Sequence, residues 1–437
     1  MKPFYFWSLL FLAYSCQKKG TPASLRISIA PTITSITPTT ASPNTVVTIR
    51  GTNFSADSTA DTVEFNGVRA VIRSASDTTL VVLVPTGGTN GPITIVTGTG
   101  SVTGPQFTYG PNVYVAGYER WVGDANNIGG AAIAKYWNNG TSINLIGNLD
   151  YGFAYGISLT DTDVYVIGYA SSTGAFHSYY WTREGYFPLT EGPYDCHAYA
   201  MVLVGGQIYA AGTFYPQPDG QQALMWVNGV TDSLTKAPSL GFADAITAAG
   251  NDIYVGGYIN DTLIATEQHP VYWKNGSIVY LPHNNPYGYI TGIAVNGTDV
   301  YAAGTDDGGV SYAVQWKNGV PTYLTDGTQG AGAKAIQVVG SDVYVAGYEF
   351  NGSFLVAKYW KNGVPVSLTN GQTDAEANAI LVVGNDVYVS GYESNTTQHA
   401  PDWDPDLGFV AKYWKNGVAV QLGTGVTGSQ AYGIAIK

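Results

Sequence analysis

From residue 111 to the end, one short text recurs seven times, and this recurrence limits the folds open to the chain more than anything else in it. A "DVYVAGY"-like element has its first Tyr at positions 114, 165, 209, 254, 301, 344 and 388. A "YWKNG"-like element has its Trp at 137, 181, 226, 273, 316, 360 and 414. Seven units at roughly 45-residue spacing predict a propeller or a solenoid, because one such unit cannot bury its own apolar face. Each unit holds four strand-like pieces of the form "AYGIAI", "DVYVAGY", "AKYWKNG" and "VPVSLT", named A to D below. Four strands per unit is the content of a propeller blade.

The connections carry a second message. Strand A to B is eight residues (Ile157 to Tyr165), C to D is eight (Trp137 to Leu145), and D to the next A is twelve (Leu145 to Ile157). Only B to C varies, from fifteen residues between Tyr301 and Trp316 to twenty-six between Tyr388 and Trp414. Asn-Gly after the Trp suits the type I′ turn of a two-residue hairpin. The Gly of "AGY" leaves room for a neighbouring backbone, and the recurrent Tyr and Trp are expected to pack blade against blade. The first "NVYVAGY" has no strand A before it, and the chain ends in "AYGIAIK", a strand A with no B after it. Ala431 to Lys437 are therefore predicted to complete the first unit, which removes exposed sheet edges. The expected fold is all-β, with a seven-bladed propeller over 111–437 closed by the C-terminal strand.

The segment before the repeats differs. Residues 31–110 read "PTITSITPTTASPNTVVTIRGTNFS", "TVEFNGVRAVIRSASDTTLVVLVP" and "GPITIVTGTGSVTGPQFTY". Short alternating strands cut by Gly, Pro and Asn turns predict a β-sandwich. Ile36-Thr37-Pro38, Gly51-Thr52-Asn53-Phe54, Val63-Glu64-Phe65-Asn66-Gly67 and Leu83-Val84-Pro85 resemble the IPT/TIG family of Ig-like domains. That resemblance implies a spacer or interaction module and no catalysis. The repeat text in turn resembles extracellular HAF-type repeats, which implies an exported propeller-like array.

At the N-terminus, Lys2, the apolar run Phe4 to Tyr14 and Ser15-Cys16 have the order of a secretory signal over 1–15. The pattern resembles the looser lipobox of Bacteroidota lipoproteins, with Ala13 and Tyr14 departing from its usual residues. It implies acylation of Cys16 and anchoring in the outer membrane, facing the surface or the periplasm. Residues 16–30 are small and polar and read as a tether. Exported IPT/TIG lipoproteins resemble components of Bacteroidota glycan-capture systems.

Composition narrows the function. Charged residues are 11% and the formal charge is −12, so the basic face that nucleic acid requires is missing. With Cys16 acylated, only Cys196 remains, so no disulfide is expected. Asp195-Cys196-His197 reads as a buried thiol rather than a nucleophile. No zinc-spaced His pair, Ser nucleophile motif or phosphate loop is present, and the chain is expected to be a non-enzyme and a monomer.

Strand alternation places the B–C and D–A loops on one face, and function usually sits on such variable loops. The two longest B–C loops carry Trp121 and Trp403. The second also holds Asp402, Asp404 and Asp406, whose spacing could hold calcium; no other cofactor is expected. Eight residues after each strand D Leu stand Phe153, His197, Phe242, Tyr289, Gly332, Glu376 and Gln430, with Tyr151, Tyr194 and Tyr287 nearby. Aromatic faces beside carboxylates and amides suit sugar rings. The sequence thus predicts a binding module for a glycan. A protein-binding or adhesion propeller for a surface protein and a polysaccharide-active lyase or hydrolase are the alternatives.

Overall fold

The computed structural model describes residues 29–120, 131–147, 151–171, 174–190, 193–216, 220–235, 239–260, 267–396, 408–426 and 428–437. They contain strands and no helix, and no helix long and apolar enough to cross a membrane is among them. The described residues divide into two compact units, one made of those up to Thr39 and Val46–Thr108, the other of Thr40–Thr45 and those from Tyr109 to Lys437.

The first unit is a sandwich of antiparallel sheets. One orders Thr32–Thr37, Val46–Thr52, Thr79–Leu83 and Val71–Ala75; the other contains Gly100–Tyr109, Gly91–Thr97, Thr62–Phe65 and Val68–Arg69 in that order. Alternation does the sorting: Val47, Ile49, Val63, Phe65, Leu80, Val82, Ile93 and Ile95 are buried while their neighbours face outward. Phe65 and Phe107 meet edge to face at 4.7 Å in the core. Gly51 has no room for a side chain, since a Cβ there would lie 1.9 Å from the Thr32 carbonyl oxygen.

The second unit is built from four-stranded antiparallel arrays ordered A-B-C-D, the fourth and fifth of which join in one eight-stranded sheet. The first is Ser429–Ile436, Val113–Arg120, Ala132–Asn138 and Thr141–Asn144, so the chain's last strand supplies its strand A. A single parallel pairing, Gln268 with Tyr287, links the fourth sheet to the fifth. Each strand A lies against the strand A of the next sheet, and Ser429–Ile436 lies against both Ala375–Val383 and Tyr151–Leu159. The strands D are the outer edges, fully exposed in Gly185–Pro188, Val230–Ser233, Ser277–Tyr280 and Val364–Ser367.

Packing follows the repeat. The seven strand C Trp residues are at most 1% exposed, and each fills the gap to the preceding sheet. Trp181 packs on Tyr114, Ala116 and Ala134, while Trp137 packs on Tyr388, Ala411 and Leu422 of the seventh sheet. The Gly of each "AGY" faces the backbone of strand A: a Cβ on Gly168 would sit 1.9 Å from the Phe153 carbonyl oxygen, and one on Gly391 1.9 Å from that of Glu376. The Asn-Gly turns have both residues at positive φ, 49° and 81° at Asn139-Gly140, as type I′ requires. In units four to seven the turn Asn also staples strand B. Asn275 donates to Asp252 Oδ1 at 2.8 Å and accepts from the Ile253 N–H, and Lys274 pairs with Asp252 Oδ2 at 2.8 Å. Asp299, Asp342 and Asp386 repeat the arrangement.

Candidate functional site

Every strand A is interrupted at the same place. Its register against strand B skips one residue between Ala154 and Gly156, Ala198 and Ala200, Ala243 and Ala245, Ile290 and Gly292, Ala333 and Ala335, and Ala377 and Ala379, with the matching break at Tyr432-Gly433 in the last strand. A β-bulge frees the extra side chain from cross-strand pairing and re-aims it. Here the seven freed residues, Tyr155, Tyr199, Asp244, Thr291, Lys334, Asn378 and Tyr432, all line one central cavity of about 420 Å³. The residue after each bulge is Gly or Ala because the next strand A is close: a Cβ on Gly292 would lie 2.9 Å from Ala335 Cα, and one on Gly433 2.6 Å from the Tyr155 carbonyl oxygen. Ile157, Met201, Ile246, Ile293, Ile336 and Ile434 give the cavity an apolar wall.

Two residues earlier in each strand A lies the row picked out from the sequence, opposite a fixed position of strand B. Phe153 pairs with Tyr169, Phe242 with Tyr258, Gly332 with Tyr348, Glu376 with Tyr392 and Gln430 with Tyr118. His197 and Tyr289 pair instead with Thr213 and Thr305, both buried. The rings join into one belt across units one to five. Tyr118 meets Phe153 at 4.7 Å, Phe153 meets Tyr169 at 5.3 Å, and Tyr169 stacks on His197 at 3.9 Å. Beyond His197, Tyr199 stacks on Phe242 at 5.1 Å, Phe242 lies parallel to Tyr258 at 5.6 Å, and Tyr258 meets Tyr289 at 6.4 Å. Tyr151 joins through Phe153 at 5.2 Å. The belt is half-buried at Phe153, His197, Phe242 and Tyr289.

The predicted residues therefore separate. Tyr151, Phe153, His197, Phe242 and Tyr289 come together. Tyr194 does not: it is 41% exposed and lines a separate side cleft of about 620 Å³ with Cys196, Phe214 and Leu224. Tyr287, the first residue of its strand, is 44% exposed at the rim. Trp121, Trp403, Asp402, Asp404, Asp406 and Cys16 lie outside the described residues. Among the described residues, no three His, Cys, Asp or Glu side chains gather as metal ligands. Cys196 is 1% exposed, and burial raises its thiol to about 11, which keeps it protonated at neutral pH.

Electrostatics divide the cavity. Burial pushes the phenols of Tyr155 and Tyr199 well up and those of Tyr169 and Tyr258 to about 12, so all are neutral. Burial lowers His197 to about 4 against the opposing pull of Asp195; it is a neutral ring, with Nδ1 3.2 Å from the Tyr199 hydroxyl. Across the cavity Lys334 Nζ lies 3.4 Å from Glu376 and 5.4 Å from the centre of the Tyr348 ring. Glu376 raises the lysine and holds it charged. Burial raises Asp244 to about 6, with Lys334 acting in the opposite sense. Tyr432 donates to Gln430 at 3.0 Å, Thr291 to the Ala333 carbonyl at 2.7 Å and Asn378 to the Ala431 carbonyl at 2.9 Å. Sequence reasoning missed this inner ring. Its signal was a chemically variable residue held between fixed small residues, as in "AYGI", "ADAI", "AKAI" and "ANAI".

Residues 31–109 match the IPT/TIG domain family, so the first unit is an IPT/TIG domain. No curated protein sequence matches the chain. Among solved structures, an auxiliary nutrient binding protein from Bacteroides thetaiotaomicron is similar at 11% identity and a TM-score of 0.41, covering 92% of this chain and 97% of that one. A second, from Bacteroides ovatus, has 13% identity and a TM-score of 0.30, covering 94% and 98%. The β-propeller domain of the trilobed protease from Pyrococcus furiosus has 11% identity and a TM-score of 0.43, covering 72% and 95%. Likeness at this level assigns neither ligand nor activity.

Proposed function

We propose that this protein is an exported, lipid-anchored binding protein, attached through Cys16, that captures a glycan without catalysis on a seven-bladed β-propeller closed by its C-terminal strand. The observation that carries the reading is the belt of rings from Tyr118 to Tyr289, which reaches through Tyr199 into a cavity that Tyr155, Tyr199 and Tyr432 share with Asp244 and Lys334. Sugar rings present apolar C–H faces that stack on aromatics and hydroxyls that pair with polar groups, so a site divided in this way suits them. The neutral phenols and the neutral His197 supply uncharged hydrogen-bonding groups.

The test is binding of a broad polysaccharide panel by the wild type and by a variant carrying Phe153→Ala, Phe242→Ala and Tyr289→Ala. Saturable binding to at least one polymer, lost in the folded variant and without shortening of the polymer, is expected. Absence of binding across the panel overturns the reading and directs attention to protein partners. Chain cleavage in place of simple binding replaces capture with an enzymatic role.

A further inference from the structure

The inner ring contains one group whose situation differs from the rest. Six of its seven side chains have a hydrogen-bond or ion-pair partner within the protein. No hydrogen bond reaches the Asp244 carboxylate among the described residues. The cation that acts on it, Lys334, is shared with Glu376, which it pairs at 3.4 Å. The cavity therefore holds one carboxylate that no hydrogen-bond donor of the described residues serves, in a lining that also contains Tyr155 and Tyr199. A half-buried carboxylate without donors is costly unless a ligand supplies them. An aromatic wall next to it favours a cation over a neutral donor, because ring faces attract positive charge. A primary ammonium brings three donors and one positive charge.

We infer that the central cavity is a subsite for a protonated primary amine centred on Asp244, so that the captured glycan carries unacetylated amino-sugar residues. The second half of this statement rests on the glycan reading above; the first does not. The belt stacks the sugar rings, and the cavity selects the amine.

The full chain is titrated near neutral pH with glucosamine and its short oligomers, and with the same compounds after N-acetylation. Wild type, Asp244→Asn and Asp244→Ser are compared after near-UV circular dichroism shows that each is folded. The free-amine series should bind about tenfold more tightly than the acetylated series, the worth of one charge-assisted contact. Both Asp244 variants should lose that preference, so that the two series bind each variant with equal affinity. Equal affinity for the two series overturns the proposal. So does a preference that survives both variants, which is general attraction to a chain of net charge −12. If neither series binds while a neutral polysaccharide does, the amine subsite falls and glycan capture stands. If amine binding needs Asp244 but persists in the triple aromatic variant, the subsite stands and the belt's role in glycan capture falls.

Discussion

At the end of strand B and two residues before the strand C tryptophan, units one, six and seven carry Glu119 with Lys135, Glu349 with Lys358, and Glu393 with Lys412, each an ion pair. The same positions hold Ala170 and Tyr179 in unit two, Phe214 and Leu224 in unit three, and Ile259 and Val271 in unit four. The backbone frame is shared, since the buried Trp and the close-packed Gly recur in both regions. What differs is the filling. One arc satisfies its own charges; the other is largely apolar there and carries the half-buried rings Phe153, His197 and Phe242 in its strands A. Capacity for a ligand follows the arc that leaves its chemistry uncommitted.

A common frame can be broken deliberately. Trp137→Ala, beside the ion-paired arc, and Trp226→Ala, in the aromatic arc, should each cost about 3–5 kcal/mol in denaturant unfolding. Costs differing by more than about 2 kcal/mol would mean that the two arcs do not share one packing scheme.

The ion pairs offer a sharper contrast. Lys135→Met strands the Glu119 carboxylate, whose side chain is 9% exposed, and should cost about 3 kcal/mol. Adding Glu119→Gln should recover most of that, because the desolvation penalty leaves with the charge. Burial pushes Glu119 up, but hydrogen bonds from Lys135 and Thr424 outweigh it and hold the carboxyl below its usual range. Its stabilising contribution is thus present above the unfolded value and lost as pH falls through the folded one.

Asp244 has the opposite sign. Its carboxyl is raised from 3.8 to about 6, so the folded state binds the proton more tightly than the unfolded one. Stability from this group is full below pH 3.8 and is lost as pH rises to about 6. Asp244→Asn should therefore raise stability above that pH by up to about 3 kcal/mol and have little effect in acid. A loss of stability at neutral pH would mean that the carboxylate has a partner. For calcium, removal with EDTA should move Tm by less than about 2 °C; a larger fall would give the Asp402, Asp404 and Asp406 cluster a metal.

The frame was legible because each repeated residue has one packing duty, so its recurrence can be counted. Trp fills the inter-sheet gap, Gly admits a backbone, and Asn-Gly turns the hairpin. The site was legible only in part. Period-two alternation explains why Tyr151 and Phe153 meet and why Tyr194 shares the face of Cys196, not that of His197. It also puts Tyr155 on the face of Phe153, but counting from the strand D Leu stops one row short of the bulge. Nor does spacing reveal that the Lys334 charge is already taken by Glu376, because that contact crosses between two units.

The seven bulges give the cavity an unusual independence. A side chain there answers neither to a cross-strand partner nor to the tryptophan layer, so it can change without disturbing either. The chemistry of the cavity is thus separate from the packing that holds the sheets together. Substitution at Asp244 would change the chemistry of the cavity while the frame stays untouched, as a lock is rekeyed by changing a pin and keeping its barrel.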